Sequence, residues 1–133
     1  MTADQARALR RTHGARAVEA MLEKMESTLA TGLKPGEEIG RWGDDEFLVL
    51  SHERNTARLG EHGEILRGLA RTTEFHWWGD RISVTVSIGV AQLERGESLA
   101  ELLERAQAAM HMSVHAGGNE ITVAPGRRAC SPS

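Results

Sequence analysis

Three consecutive carboxylates, Asp44, Asp45 and Glu46, follow Gly43 directly and run straight into the apolar stretch Phe47-Leu48-Val49-Leu50. A short strand beginning near Glu38 and ending at Arg41 and Trp42 precedes them, so residues 41–50 predict a β-hairpin with a tight Gly-Asp turn. This constrains the fold strongly, because neighbouring carboxylates repel one another. Such a tip is stable in open water, or beside buried strands when a cation offsets its charge. A solvated acidic turn is the simpler reading of a bare Gly-Asp-Asp-Glu.

The flanking segments predict the rest of the architecture. Thr2-Ala3-Asp4-Gln5 has the form of a capping box, so the chain is expected to open on a helix that continues over 6–11 and is interrupted at Thr12-His13-Gly14. Val18, Met21, Leu22, Met25 and Leu29 then recur at helical spacing, marking the buried face of a second helix closed by Gly32. Leu33-Lys34-Pro35-Gly36 reads as a turn. Residues 57–71 carry Leu59, Ile65, Leu66 and Leu69 among three glycines, a helix of modest propensity. A strand over 73–77, a turn at Gly79-Asp80 and one long strand with Ile82, Val84, Val86, Ile88 and Val90 at period two follow. Ser98-Leu99-Ala100-Glu101 is a second capping box, opening a helix with the stripe Leu99, Leu102, Leu103, Ala106 and Met110. Gly117-Gly118-Asn119 ends it, a short strand spans 121–123, and 124–133 reads as a flexible tail behind a domain of residues 1–123.

That order implies an α/β (α+β) fold with a mainly antiparallel central sheet flanked by helices. A chain of 133 residues, 40% hydrophobic, suits one compact domain. Arg and Glu are interspersed at a net charge of -3, which disfavours nucleic acid as a partner. A single Cys130, no secretory start and no apolar run longer than 82–91 predict a cytoplasmic protein without a membrane segment. His111 and His115 lie four apart and could share a metal, but no third ligand is evident, so a solvated helix face is the simpler reading. Of Trp77 and Trp78, one is expected to pack on the sheet and the other to remain for the surface or an interface.

Residues 41–50 resemble the signature hairpin of the GGDEF domain, the module of bacterial diguanylate cyclases, with Gly43-Asp44-Asp45-Glu46-Phe47 in place of Gly-Gly-Asp/Glu-Glu-Phe. Residues 84–91 resemble the family's next long core strand, and 106–119 its last helix and following turn. The resemblance spans about residues 9–123 and implies a nucleotidyl-cyclase-like fold in cyclic di-GMP signalling. In that family two GTP molecules on facing domains condense to cyclic di-GMP and pyrophosphate with Mg²⁺, a chemistry that carboxylates at a strand end suit. On this likeness Asp45 and Glu46 are candidates for metal ligand and catalytic carboxylate. Gly43, Asp44, Glu19 and Arg7 fall on substrate-contacting positions.

The likeness also implies departures. The family's strand before the first helix is expected to be missing, with Thr2 on its metal-binding Asp, as in an N-terminally truncated fragment or a shortened relative that fills the gap by dimerisation or rearrangement. Asp44 replaces the second Gly and brings negative charge toward a polyanion, worth roughly 1 kcal/mol at about 4 Å in water and several-fold more near a protein surface. Arg10 stands on the guanine-reading Asn and Glu19 on the guanine-reading Asp, while Val114 and Gly118 take the places of two phosphate cations and Arg7 keeps the charge of a third. Lys34 and Glu37 occupy the product-inhibition Arg-x-x-Asp and are candidates for a cyclic di-GMP site, an ordinary charged turn being the alternative. The expectation is a catalytically degenerate GGDEF domain. It would act as a binding or dimerisation module, as a homodimer or with another GGDEF protein, with GTP or cyclic di-GMP binding weak or lost. An active homodimeric diguanylate cyclase and a truncated remnant are the alternatives.

Overall fold

β6 (Val86–Val90) is the strand on which the rest of the chain is assembled, with Val86, Ser87, Ile88 and Val90 all buried. A computed structural model of the protein describes residues 1–126. One edge of β6 pairs antiparallel with β1 (Thr2–Ala3), the other parallel with β7 (Ile121–Val123). Between them in the chain come α1 (Ala6–His13), α2 (Ala15–Ala30), β2 (Glu38–Arg41), β3 (Phe47–Leu50), α3 (Thr56–Ala70), β4 (Phe75–Trp77), β5 (Asp80–Ile82) and α4 (Leu99–His115). β2–β3 and β4–β5 are antiparallel hairpins, and a Thr2–Glu46 bridge joins the first of them to β1. The pairing is therefore mainly antiparallel, with β6–β7 the parallel exception.

The helices α2, α3 and α4 form where the sequence predicts them, for reasons visible in their ends and faces. Val18, Met21, Leu22, Met25 and Leu29 of α2 are all buried. Asn55 caps α3 by accepting from the Arg58 N–H, and Ser98 and Glu101 form a complete reciprocal capping box on α4. α3 and α4 cover opposite faces of β6. Gly63 of α3 lies against Val90, whereas a Cβ on the adjacent Gly89 would stand 2.1 Å from the Ala106 carbonyl oxygen and 2.3 Å from the Met110 nitrogen of α4. Only glycine at 89 lets α4 sit this close. No helix among the described residues is long and apolar enough to cross a membrane.

Four expectations need correction. Thr2–Gln5 is not a capping box: Thr2 and Ala3 pair with Ser87 and Val86 as a two-residue strand. The helix starts at Ala6, and Gln5 makes no side-chain cap because its amide donates to Thr85 Oγ1 at 2.7 Å and accepts the Thr85 N–H at 2.7 Å. Partners some 80 residues away in the sheet displace the local cap. The period-two run is not one strand, since β5 is claimed by β4 while β6 is claimed by β1 and β7. The turn between β4 and β5 is Trp78-Gly79, both with positive φ (52° and 87°), because Asp80 pairs with Trp77.

The stripe on α4 is also displaced. Leu99 is exposed and Leu102 and Leu103 are half-buried, while Ala109, Met110 and Ser113 are buried. Trp77 stacks on Phe75 with ring centres 6.3 Å apart and Trp78 is exposed. Ala124 is buried and donates its N–H to the Val90 carbonyl at 2.7 Å. Of the expected tail, residues 127–133 with Cys130 lie outside the described residues.

Candidate functional site

β2 and β3 face each other from Glu38↔Leu50 to Arg41↔Phe47, leaving residues 42–46 as the loop. The turn is wider than the tight one expected, because the Trp42 N–H reaches the Glu46 carbonyl at 2.9 Å and closes a five-residue loop. Gly43 and Asp45 both take φ of 62°. That conformation costs glycine nothing and is tolerated by Asp. It turns the Asp45 carbonyl toward β1, where it accepts from the Ala3 N–H at 3.0 Å and the Thr2 hydroxyl at 3.3 Å. The acidic tip is thus stitched to the start of the chain.

The carboxylates at this tip have different surroundings. Asp45 is gripped by Arg10 from α1 through two parallel bonds, Nη1 to Oδ2 at 3.0 Å and Nη2 to Oδ1 at 2.6 Å. A planar guanidinium meets a carboxylate this way, and the bond to Asp45 raises the Arg10 pKa further above its ordinary value. Glu46 is half-buried with an oxygen beside Gly43, and Asp44 is exposed. Arg7, one turn earlier on α1, is exposed.

A second fork lies next to the first. Arg41 at the end of β2 donates Nη1 and Nη2 to the Glu19 oxygens of α2 at 3.0 and 3.1 Å, and its guanidinium sits 5.8 Å from the centre of the Phe47 ring. The hydrogen bond from Arg41 holds Glu19 below the usual carboxylate range. Each predicted acidic site residue that could read a base or hold a cation therefore has an arginine on it, save Glu46 and Asp44.

The Lys34–Glu37 turn divides its two candidates. Gly36 has φ 85° and the Glu37 N–H returns to the Lys34 carbonyl at 3.0 Å, leaving Lys34 exposed. The Glu37 side chain turns inward, accepting from the Lys34 N–H at 2.8 Å and meeting His62 Nε2 at 2.7 Å. Burial pushes Glu37 up, but the Lys34 N–H, the Ser51 hydroxyl and His62 outweigh it and hold the carboxyl below its ordinary value.

Two residues that matter here carried no motif. Arg10 stood in the sequence only as a replacement, with nothing to show that it would close on Asp45. Asp4 gathers the Thr85 hydroxyl at 2.6 Å, the Ser87 hydroxyl at 2.5 Å and the Asn119 N–H at 2.8 Å, tying β1, β6 and the turn after α4 together. Val114 is exposed on α4, and Gly118 lies against the Asp4 carboxylate. His111 and His115 are exposed.

The donor set does not fit a divalent cation. Among the described residues no three His, Cys, Asp or Glu side chains come together, both Asp45 oxygens are engaged by Arg10, and Thr2 contributes a hydroxyl already donating to a carbonyl. Hard cations need several oxygens free to converge. At this tip a guanidinium supplies the positive charge instead.

Over residues 2–120 the chain matches the family described as diguanylate cyclase, GGDEF domain. It is 26% identical over 113 residues to diguanylate cyclase A of Treponema denticola, covering 84% of this chain and 30% of that protein. It is 29% identical over 104 residues to diguanylate cyclase DgcP of Pseudomonas aeruginosa, covering 78% of this chain and 16% of that protein. The chain thus spans less than a third of the length of either relative. Its fold superimposes on the crystal structure of the Pseudomonas aeruginosa diguanylate cyclase SiaD, solved with its activator SiaC, at a TM-score of 0.85 and 27% identity, covering 92% of this chain and 47% of that one.

Proposed function

The chain belongs to the GGDEF-domain family of diguanylate cyclases, and on that premise we propose that it is a cytoplasmic module of cyclic di-GMP signalling whose hairpin no longer catalyses and which works by binding. The observation that carries this is the Arg10–Asp45 fork. The family's chemistry is typically metal-dependent, and Mg²⁺ between a nucleotide and the hairpin would have to displace a bidentate guanidinium from Asp45 with only Glu46 to assist. The other supports agree. Glu19 is tied to Arg41 and so would not present a free carboxylate to a base, and the exposed Asp44 repels a triphosphate. At the Lys34–Glu37 turn only Lys34 is free to meet an anion, since Glu37 is held by His62.

What remains is a folded scaffold with an intact hairpin. The relative SiaD is solved with an activator protein, so protein recognition is compatible with this fold. The test is calorimetric titration of the full chain with a non-hydrolysable GTP analogue and Mg²⁺, together with a turnover assay on GTP. No binding heat and no cyclic di-GMP are expected. Binding that vanishes in Asp45→Ala, accompanied by product, would overturn the reading.

A further inference from the structure

Met112 stands 61% exposed on α4, directly after His111 and one turn before His115. The other four methionines are buried or half-buried, so this is the one thioether offered to solvent. His111 and His115 are exposed as well, and among the described residues no hydrogen bond or ion pair engages either ring. The sequence showed only the pair of histidines, because the exposure of a methionine is not encoded in spacing.

The helix groups these three side chains. At 3.6 residues per turn, His115 lies about 40° around the axis from His111 on one side and about 60° from Met112 on the other. Residues three and four apart have Cβ atoms about 5–6 Å from each other, and Cα–Cβ bonds tilt toward the helix N-terminus. His115 therefore leans up between the other two. The Ala116 N–H donates to the Met112 carbonyl at 2.9 Å, which keeps the helical spacing to the end of α4. Ala108, small and exposed one turn before Met112, leaves the upper side of the group open.

Two imidazole nitrogens and one thioether sulfur on one face make a neutral, soft donor set. Mg²⁺ and Ca²⁺ require oxygens, and Zn²⁺ takes its sulfur as thiolate, whereas Cu(I) accepts both imidazole and thioether. We propose that His111, Met112 and His115 form a Cu(I) site on the exposed face of α4. The electrostatics suit a cation. His115 is the last residue of α4, where the helix dipole is negative, and Glu104 is exposed on the same face two turns before His111. Arg105, the one Arg or Lys of this helix, is turned onto Glu97 and the Gln92 and Pro125 carbonyls. The site shares no residue with the hairpin tip.

The test uses the full chain carrying Cys130→Ser, because a free thiolate is itself a metal ligand. Cu(I), supplied without oxygen as its acetonitrile complex, is titrated by calorimetry while the Met112 methyl resonance is followed by NMR. Saturation at one equivalent is expected, with a shifted Met112 methyl and exchange of the Ala116 amide slowed about tenfold as the last turn is pinned. Met112→Leu keeps size and helix propensity, and should weaken Cu(I) by about tenfold or more while leaving the weaker Zn²⁺ binding unchanged. His115→Asn should weaken both ions by about tenfold or more. An unmoved Met112 methyl, equal Cu(I) affinity in either variant, or no saturation by about 100 μM Cu(I) would overturn the proposal. So would an equal loss of Cu(I) and Zn²⁺ in Met112→Leu, which would make the methionine a support of the helix and not a ligand.

Discussion

Arg10 of α1 forks onto Asp45 at the hairpin tip, with Nη2 2.6 Å from Oδ1 and Nη1 3.0 Å from Oδ2, across 35 residues of sequence. The guanidinium takes the position in charge space that a cation would need, and it does so as part of the chain. Its removal should therefore open Asp45 to a divalent cation. In Arg10→Ala the Asp45 carboxylate is released beside Glu46, and Mn²⁺ or Mg²⁺ should raise Tm by roughly 3–6 °C at about tenfold excess over Kd, against no shift in the natural chain. Differential scanning fluorimetry with and without EDTA measures it. An equal metal response in both proteins would mean that Arg10 does not hold the site closed.

Glu37 gives a dependence on pH. Its carboxyl is held below the ordinary value of 4.5 in the folded protein, so folding favours its ionised form. The stability this adds is complete above that value and is lost as pH falls through the folded pKa, since the unfolded chain then binds the proton first. Glu37→Gln removes this term. The Tm difference between the natural chain and Glu37→Gln should be steady from neutral pH down to about 5 and shrink below about 4.5. His62→Ala, which leaves the Glu37 carboxylate buried without its partner, should cost about 2 kcal/mol in urea denaturation at neutral pH.

Local patterns made most of this fold legible, and the departures share a physical origin. The buried face of α2, the capping box of α4 and the paired strands flanking the acidic run were all present as spacing or cap chemistry. Thr2–Gln5 also had a sound local signature, yet it was overridden by Ser87 and Thr85, whose proximity no spacing encodes. The site divides in the same way. Asp45 and Glu46 could be singled out from the hairpin, but Arg10 on Asp45 and Arg41 on Glu19 are pairings between elements 35 and 22 residues apart. His62 on Glu37 is another, and it decides which way an apparently surface turn points.

Two glycines separate backbone propensity from close packing. Gly89 would place a Cβ 2.1 Å from the Ala106 carbonyl oxygen and 2.3 Å from the Met110 nitrogen, both backbone atoms that cannot step aside. Gly89→Ala should push α4 off β6 and cost upwards of about 3 kcal/mol. Gly68 lies within α3 with nothing inside 4 Å of its would-be Cβ. Gly68→Ala should stabilise by about 0.5–1 kcal/mol through helix propensity and a less flexible unfolded chain. Urea denaturation of the pair should give opposite signs, and a neutral Gly89→Ala would contradict the packing of α4 described above.

Three donors from two distant parts of the chain converge on Asp4, so its loss has a definite consequence. Thr85 and Ser87 give hydroxyls and Asn119 gives a main-chain N–H, in a half-buried pocket beside Gly118. Two of these donors can rotate toward other acceptors, but the Asn119 N–H is fixed by a backbone with φ of 52° and cannot. Asp4→Ala should therefore cost about 2–3 kcal/mol, most of it from that stranded amide and from the loss of charge-assisted bonds. Asp4→Asn keeps one acceptor oxygen and should recover part of the loss. Exchange of the Asn119 amide is the specific readout: it should accelerate in Asp4→Ala well before global unfolding, since the link between β1 and the turn after α4 is what Asp4 maintains.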